Sequence, residues 1–329
     1  MTFRVAGAAR TAIGARSSQE DAFAIWTPPS EANDGGSRQL LAVVADGMGG
    51  HVGGEVASRL ACDGFVAAFA DGDGAVSERL NAALDDANVA IARRIADAPK
   101  LRGMGSTLVA AFLDETGLRW ASVGDSALLL FRAPGDGMRL NADHSLGAFL
   151  DAQVRNNNIT PAEAAHNPHR NALRSALGGK RIEIRDLGAE PYPLKSGDWL
   201  IVASDGIATL SDDEIGDIVY ADPEAAPDDV AARLIAAVLA KDEPAQDNTT
   251  VVALKIEGDT LPIAEDERPT RIIRAVGETT ADDDIARATP RFATTTVHAS
   301  MLNGYACITL AAGFAGMFLI GWLVRAWLD

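Results

Sequence analysis

Short apolar runs that end at a carboxylate recur along the chain. The run at 41–45 is uninterrupted, too short for a helix and β-branched at its centre, so we predict a buried strand that stops at Asp46. A similar run ends at Asp205-Gly206, and a third leads into Gly124-Asp125. The pattern predicts strands that each place one acidic side chain at the edge of a sheet.

Two segments reverse this order, with the carboxylate first. Asp247 precedes the apolar run 249–254, and Glu20-Asp21 precede another run. If the run before Asp205 and the run after Asp247 are antiparallel, both carboxylates lie at the same end of the sheet. Carboxylates that converge raise one another's pKa, so such a cluster indicates bound cations. The competing interpretation of each segment is an ordinary turn aspartate.

The spacing of apolar residues predicts the other elements. Predicted strands lie at about 3–9, 22–27, 39–45, 106–113, 118–123, 127–132, 183–188, 198–204 and 249–256. Predicted helices lie at about 54–70, 75–97, 211–220 and 227–240, with an irregular helical stretch at 145–177. Several strands are apolar on both faces and need cover on both. We therefore predict an α+β fold with a central antiparallel β-sandwich flanked by helix pairs.

Composition and charge narrow the functional classes. The chain has 329 residues and a net charge of −17, from 46 acidic and 29 basic residues. This balance argues against nucleic acid as a partner, and it means that an anionic substrate must be captured locally. The two cysteines, Cys62 and Cys307, offer no disulfide framework.

The composition changes in the last third of the chain. Residues 258–300 contain prolines, acidic runs and threonine-rich patches, which predict a flexible linker. Residues 301–325 are predicted to form a transmembrane helix, because 305–324 carry no charge and are long enough to span a bilayer. A buried core helix is the alternative. Residues 326–329 would form a short tail.

The flanking residues predict how this helix is oriented. Tyr305 lies near one end, and Trp322 and Trp327 flank the other, as interfacial anchors do. Arg287 and Arg291 lie on the side of the N-terminal domain, where positive charge favours the cytoplasm. Because the N-terminus lacks the apolar core of a signal peptide, we predict a single-pass protein of the cell (inner) membrane with its N-terminal domain in the cytoplasm.

Seven short motifs occur in a specific order between about residues 4 and 256. They are Arg16-x-x-x-Glu20-Asp21, Asp46-Gly47-Met48-Gly49-Gly50-His51, Gly105-Ser106-Thr107, Gly124-Asp125-Ser126, Asp143-His144-Ser145, Ser204-Asp205-Gly206 and Asp247-Asn248-Thr249. Each motif is weak alone, since Asp-Gly is common in turns. Together, in this order and spacing, they resemble the metal-dependent type 2C Ser/Thr protein phosphatases in their bacterial form, whose fold agrees with the predicted β-sandwich.

The resemblance implies two Mn²⁺ or Mg²⁺ ions, with a third, weaker ion. The implied ligands are Asp46 as the bridge, the Gly47 carbonyl oxygen, Glu20, Asp205 and Asp247, with Asp125 and Asp205 for the third ion. Two such ions lower the pKa of bound water towards neutrality and hold it in line with the phosphate. Arg16 would be the phosphate clamp and, with Asp46, would act in catalysis. Asp21 and Asn248 would support the ligands without binding the ions directly.

Two motifs leave a role open. Met48 stands where some eukaryotic relatives have a histidine proposed as general acid, and methionine cannot donate a proton. His51 is near in sequence, but its spacing does not show that it faces the metals; water on a metal is the other candidate. Asp143-His144-Ser145 has no evident chemical role, and N-capping of the next helix explains it.

The function implied for the domain at 1–257 is hydrolysis of phosphoserine and phosphothreonine on proteins, countering a Ser/Thr kinase. One alternative is a catalytically weak pseudophosphatase that serves as a membrane-tethered binding or sensing module. A two-metal nuclease or small-molecule phosphatase is another alternative, which the acidic charge and the motif order disfavour.

Overall fold

Two antiparallel sheets form the centre of the part of the chain that the computed structural model describes, residues 3–28, 37–49, 51–133 and 137–260. The strands are β1 (Arg4–Ala12), β2 (Asp21–Trp26), β3 (Leu40–Met48), β4 (Gly105–Ser106), β5 (Leu108–Asp114), β6 (Gly117–Val123), β7 (Ala127–Phe131), β8 (Gly137–Arg139), β9 (Asp186–Tyr192), β10 (Trp199–Ala203) and β11 (Thr249–Glu257). One sheet has the order β1-β11-β10-β7-β8, and the other β2-β3-β5-β6-β9, with β4 paired to β3.

Helices cover the outer face of each sheet. They are α1 (His51–Asp71), α2 (Val76–Asp97), α3 (Leu146–Arg155), α4 (Pro161–Ala165), α5 (Asp212–Tyr220) and α6 (Pro227–Ala240), with short 3₁₀ turns at Pro99–Leu101 and Asp205–Thr209. The pair α1 and α2 packs on the sheet that contains β3, and the pair α5 and α6 packs on the sheet that contains β10. This arrangement confirms the predicted β-sandwich flanked by helix pairs.

Strand β3 shows why the apolar runs have no polar face. Leu41 and Val43 point into the core beneath α1 and α2, whereas Leu40, Ala42 and Val44 point into the core between the two sheets. All five side chains are buried. The strand is covered on both sides, as the uninterrupted run at 41–45 required.

Several predicted boundaries differ from the structure. β3 continues past Asp46 to Met48, because its last two residues pair with β4. Helix α1 begins at His51 rather than at 54, β9 spans Asp186–Tyr192 rather than 183–188, and β8 was not predicted. These boundaries depend on pairing with segments far away in sequence, which a local pattern does not contain.

The domain extends slightly beyond its predicted end at 257. The Thr260 amide donates to the Leu194 carbonyl oxygen at 3.1 Å, and the Ser196 amide donates to Asp259 Oδ1 at 2.9 Å. The predicted linker from 261 onward, the predicted transmembrane helix and the tail lie outside the described residues. Among the helices that are described, none combines the length and hydrophobicity needed to cross a bilayer.

Removing a leucine from the core between the sheets should destabilise the domain. Leu254 is fully buried on β11, so Leu254→Ala should lower the free energy of unfolding by about 2–5 kcal/mol, the usual cost of such a cavity. Leu239→Ala is the matched control, since Leu239 is 48% exposed on α6, and should change it by less than about 0.5 kcal/mol. Urea denaturation measures both, and equal effects would contradict this packing.

Candidate active site and metal centre

Acidic side chains from both sheets meet at one edge of the sandwich. Asp21 and Asp46 lie directly opposite each other on β2 and β3. Asp205 follows β10 and Asp247 precedes β11, and these two strands are antiparallel neighbours. Both carboxylates therefore lie at the same end of their sheet, as predicted. Ser204 joins the two sheets here, because its hydroxyl donates to Asp21 Oδ2 at 2.7 Å.

The carboxylates line a cavity of about 570 Å³. Its lining residues include Arg16, Glu20, Asp46, Gly47, Met48, Thr107, Asp125, Asn171, Asp205, Asp247 and Asn248. Every residue implied as a metal ligand therefore lines this cavity. Asp21 is not among the lining residues and accepts a hydrogen bond from Ser204; its expected supporting role stays a prediction.

Burial and mutual repulsion raise the pKa of these acids. Burial first, and then the charges of Asp21 and Asp205, raise the pKa of Asp46 to about 10. Burial and the charge of Asp205 raise the pKa of Asp125 to about 7. Burial raises the pKa of Asp21 to about 6, against the lowering effect of its hydrogen bond from Ser204. Burial and Asp247 also raise the pKa of Asp205. The protein alone does not balance the charge of this cluster.

Two buried oxygen atoms show the same imbalance. Asp21 Oδ1 and Asp205 Oδ1 are buried and accept no hydrogen bond among the described residues. A buried carboxylate oxygen without a partner is costly, and a divalent cation would compensate for it. Hard carboxylate and carbonyl oxygens are the ligands that Mg²⁺ prefers. The donor set therefore fits the predicted Mn²⁺ or Mg²⁺ ions.

The ligands do not form a closed shell around one point. Within residues 3–28, 37–49, 51–133 and 137–260, no three acidic, histidine or cysteine side chains surround a common centre.

Close backbone packing surrounds Gly47, which lines the cavity. A Cβ at Gly47 would lie 2.0 Å from the Gly54 carbonyl oxygen, and one at Gly54 would lie 2.0 Å from Glu20 Oε2. The Gly47 amide also donates to the Glu20 carbonyl oxygen at 3.1 Å. These glycines allow β3, the first turns of α1 and the Glu20 loop to touch, which a larger residue would prevent.

Asn248 holds the loop that carries Arg16 and Glu20. Its Oδ1 accepts from the Glu20 amide at 2.7 Å, and its Nδ2 donates to the carbonyl oxygens of Ile13 and Ser18. Arg16 Nη2 in turn lies 2.5 Å from Asp247 Oδ2. Arg16 therefore reaches the carboxylates, although here it pairs with one of them. The role of Asn248 in supporting metal ligands stays a prediction.

The motif Gly105-Ser106-Thr107 positions the backbone of Asp46. Thr107 Oγ1 accepts from the Asp46 amide at 2.9 Å, and the Asp46 carbonyl oxygen accepts from the Thr107 amide and the Ser106 hydroxyl. Gly124 packs against Thr107 with φ +101°, and a Cβ there would lie 2.6 Å from Thr107 Cγ2. The motif therefore fixes the end of β3, which carries Asp46, relative to the turn that carries Asp125.

His144 and Arg139 hold the Asp125 turn. The Gly124 amide donates to His144 Nδ1 at 3.1 Å, and the His144 amide donates to the Gly124 carbonyl oxygen at 3.0 Å. Arg139 Nη2 donates to the Asp125 carbonyl oxygen at 2.7 Å. Burial lowers the pKa of His144, which keeps the ring neutral and able to accept. The sequence pattern did not reveal these positioning roles; only the N-cap at Ser145 was expected, and Ala148 donates to it at 3.1 Å.

The structure adds two observations about the cavity that the motifs did not give. Asn171, Ala172 and Leu173 also line it, although the irregular segment around them carried no signal of this. Met48 lines the cavity at the position where a general acid was missing. His51 begins α1, but its side chain lies outside the described atoms, so the open question of whether it faces the metals is not tested.

Comparison with known proteins identifies the family. The profile described as protein phosphatase 2C matches residues 10–219. This stretch covers more than half of the chain, so the protein belongs to the protein phosphatase 2C family. The matched stretch ends before Asp247, which the structure places in the same cavity.

Two curated relatives carry names of protein phosphatases. The chain is 35% identical over 233 residues to the serine/threonine protein phosphatase PstP of Mycobacterium tuberculosis, covering 68% of this chain and 42% of PstP. It is 33% identical over 190 residues to the protein phosphatase PhpP of Streptococcus pneumoniae, covering 56% of this chain and 74% of PhpP. The chain therefore spans less than half the length of PstP.

Solved structures share the fold. The catalytic domain of PstP in complex with two manganese ions superposes with a TM-score of 0.61 and 31% identity, covering 78% of this chain and all of that domain. The Staphylococcus aureus phosphatase Stp1 gives a TM-score of 0.62 and 28% identity, covering 77% of this chain and 95% of that structure. The similarity in both cases covers more than three quarters of this chain.

Mn²⁺ binding should release protons and strengthen as pH rises. Asp46, with a pKa of about 10, holds a proton at pH 7, and Asp125 and Asp21, with values of about 7 and 6, are partly protonated there. These raised values mean that the metal-free folded state holds protons that a bound ion displaces. We expect affinity to increase between pH 5.5 and 8, with roughly one or more protons released at pH 7.

Calorimetric titration of Mn²⁺ in buffers with different ionisation enthalpies measures this release. Asp46→Asn should bind more weakly and release fewer protons, whereas Asp217→Asn, an exposed aspartate on α5, should behave like the wild type. Affinity that is independent of pH, with no proton release, would contradict the proposed ligand cluster.

Proposed function

We propose that the chain is a Mn²⁺- or Mg²⁺-dependent phosphatase that removes phosphate from phosphoserine and phosphothreonine in proteins. The observation that carries this proposal is a single cavity that joins Arg16 to the acids Asp46, Asp205 and Asp247. Membership of the protein phosphatase 2C family and the named activities of PstP and PhpP support it. The presence of every expected ligand disfavours a pseudophosphatase.

Asp46, the Gly47 carbonyl oxygen, Glu20, Asp205 and Asp247 would hold two ions, and Asp125 with Asp205 a third, weaker one. The structure of the PstP catalytic domain in complex with two manganese ions supports a pair of ions as the basic arrangement. Such ions supply Lewis-acid activation of water and neutralise charge on the phosphoryl group. Their charge would also satisfy the unpaired oxygens of Asp21 and Asp205.

Arg16 would orient the phosphoryl group. Its side chain is 58% exposed and lies on a loop held by Asn248, so its guanidinium can leave Asp247 once cations occupy that carboxylate. A planar guanidinium suits bidentate contact with phosphate oxygens. Met48 has no proton to donate, so the alkoxide leaving group would take its proton from water. The hydrogen bonds that the buried residues Thr107 and Ser106 form with the Asp46 backbone would keep Asp46 in place while the phosphate ester is hydrolysed.

Asp205→Asn should abolish most activity without unfolding the domain. The change keeps the side-chain shape but removes an anionic ligand, so we expect hydrolysis of p-nitrophenyl phosphate to fall at least a hundredfold, roughly the loss of one strong charge-stabilising group. Asp217→Asn on α5 is the matched control. Circular dichroism checks folding. Turnover near that of the wild type at millimolar Mn²⁺ would refute the role of Asp205.

Arg16→Ala should mainly weaken binding of the substrate, because Arg16 does not generate the nucleophile. A lost charged hydrogen bond costs about 1.5–3 kcal/mol, so kcat/KM should fall roughly tenfold to a hundredfold, mostly through a higher KM. Arg10→Ala is the control, since Arg10 pairs with Asp228 on the surface. Steady-state kinetics on a phosphothreonine peptide measures the effect; a collapse of kcat at unchanged KM would exclude a clamp.

The predicted membrane segment extends the proposal to localisation. Residues 301–324 would tether the catalytic domain to the cell membrane, with the domain in the cytoplasm, on a linker of about 40 residues with a reach of roughly 35 Å. Arg287 and Arg291 on the domain side support this orientation. A tethered enzyme there would meet proteins phosphorylated by a Ser/Thr kinase, its proposed counterpart.

Truncation at 298 should release the protein from membranes. The full-length chain should stay in the membrane pellet after a carbonate wash, because an apolar segment of this length inserts stably, whereas the 1–298 variant should appear in the soluble fraction. Cell fractionation followed by immunoblotting measures both. Extraction of the full-length chain by carbonate would exclude a spanning helix.

A further inference from the structure

A second cavity lies beside the candidate active site. It has a volume of about 550 Å³ and shares Met48 with the first cavity. Ile95 from α2 and Met104 contribute apolar surface, and Arg102 and Lys180 contribute positive charge. Met104 is buried, whereas Arg102 and Lys180 are exposed. The cavity thus combines an apolar wall with two cationic side chains that solvent can reach.

The Arg102 and Lys180 side chains are available to form ion pairs with an anionic group. Many basic side chains of this acidic protein are already paired, for example Arg132 with Asp198 and Arg170 with Asp151. Within the described part of the chain, neither the Arg102 nor the Lys180 side chain has an ion pair or a hydrogen bond. In a chain of net charge −17, two unpaired cations beside the cavity provide the local attraction that its overall charge does not.

The second cavity lies within reach of a peptide bound at the first. Met48 follows Asp46 by two residues on β3 and pairs with Gly105 of β4, which lines the second cavity. At roughly 3.3 Å per residue, Met48 is about 7 Å from Asp46 along the strand. Successive residues of an extended peptide are separated by about the same distance. Side chains about two to four positions from the phosphoresidue would therefore reach the second cavity.

We propose that this cavity binds the flanking segment of the phosphoprotein substrate and selects an acidic residue about two to four positions from the phosphoserine or phosphothreonine. Arg102 and Lys180 pair with that carboxylate, and an adjacent apolar side chain packs on Met48, Ile95 and Met104. The inference rests on the proposed phosphatase function and adds a substrate preference to it. A small substrate such as p-nitrophenyl phosphate does not extend into the cavity.

The test compares three substrates with one set of variants. They are p-nitrophenyl phosphate, phosphothreonine peptides with glutamate at the second to fourth positions on either side, and the same peptides with glutamine. The full-length protein, purified in detergent with Mn²⁺, is assayed as wild type, Arg102→Ala, Lys180→Ala and the double variant. Lys195→Ala is the control, because Lys195 is an exposed lysine outside both cavities.

We expect the wild type to prefer a glutamate peptide over its glutamine counterpart. Each single variant should lower kcat/KM for the glutamate peptide by a factor of about 1.5–5, the range of exposed ion pairs, and the double variant should lower it further and remove the preference. Values for p-nitrophenyl phosphate and the glutamine peptides should stay within about twofold, which also shows that the variants fold. Lys195→Ala should change none of them, and added salt should weaken the wild-type preference.

Different failures identify which claim is wrong. Mn²⁺-dependent hydrolysis of p-nitrophenyl phosphate without any preference for glutamate would overturn this inference and leave the proposed function intact. An equal loss on all three substrates would likewise overturn it. An effect of the variants that appears only when phosphatidylserine is added to the micelles would assign the two cations to a lipid surface instead. Absence of all Mn²⁺-dependent hydrolysis would overturn the proposed function and this inference together.

Discussion

Repulsion among buried carboxylates is the constraint on which the rest of this structure depends. Asp46 and Asp21 face each other on adjacent strands, and Asp205 approaches them from the other sheet. Such a cluster costs folding free energy once it ionises, because burial and like charge both favour the neutral acid. Without cations, protons on Asp46 and its neighbours relieve this repulsion, and a bound divalent cation would take over that role by displacing them.

The sandwich brings these groups together by joining the ends of strands from two sheets. The core between the sheets is apolar throughout, from Leu40 on one side to Leu254 on the other, so the carboxylates can lie only at its edge. Hydrogen bonds then set their positions: Thr107 holds the Asp46 backbone, and His144 holds the turn before Asp125. These partners are polar and largely buried, and they orient the ligands before any ion arrives.

The same arrangement relates catalysis to recognition of the substrate. The overall charge would oppose the approach of the proposed phosphoprotein substrates, so their binding would have to depend on the few cations close to the cavity. Arg16 lies in the first cavity, and Arg102 and Lys180 lie in the second, with Met48 between them. A short strand pairing, β3 with β4, thus separates the site proposed for chemistry from the site proposed for selectivity by only a few residues.

The sequence alone determined which strands end in carboxylates and that both faces of the sandwich need helices. An uninterrupted apolar run such as 41–45 predicts a strand that is covered on both faces. The position of Asp205 and Asp247 at the same end of their sheet followed from the antiparallel direction of their two strands. The contacts of His144 and Arg139 with the Asp125 turn, and the position of Asn171 in the cavity wall, came only from the tertiary structure, because these residues meet segments that are distant in sequence or irregular. The continuation of β3 to Met48 also came only from the tertiary structure, because it depends on pairing with β4. Periodicity reports which face of an element is buried, but hydrogen bonds and cavities depend on which loops meet, and only the packed chain decides that.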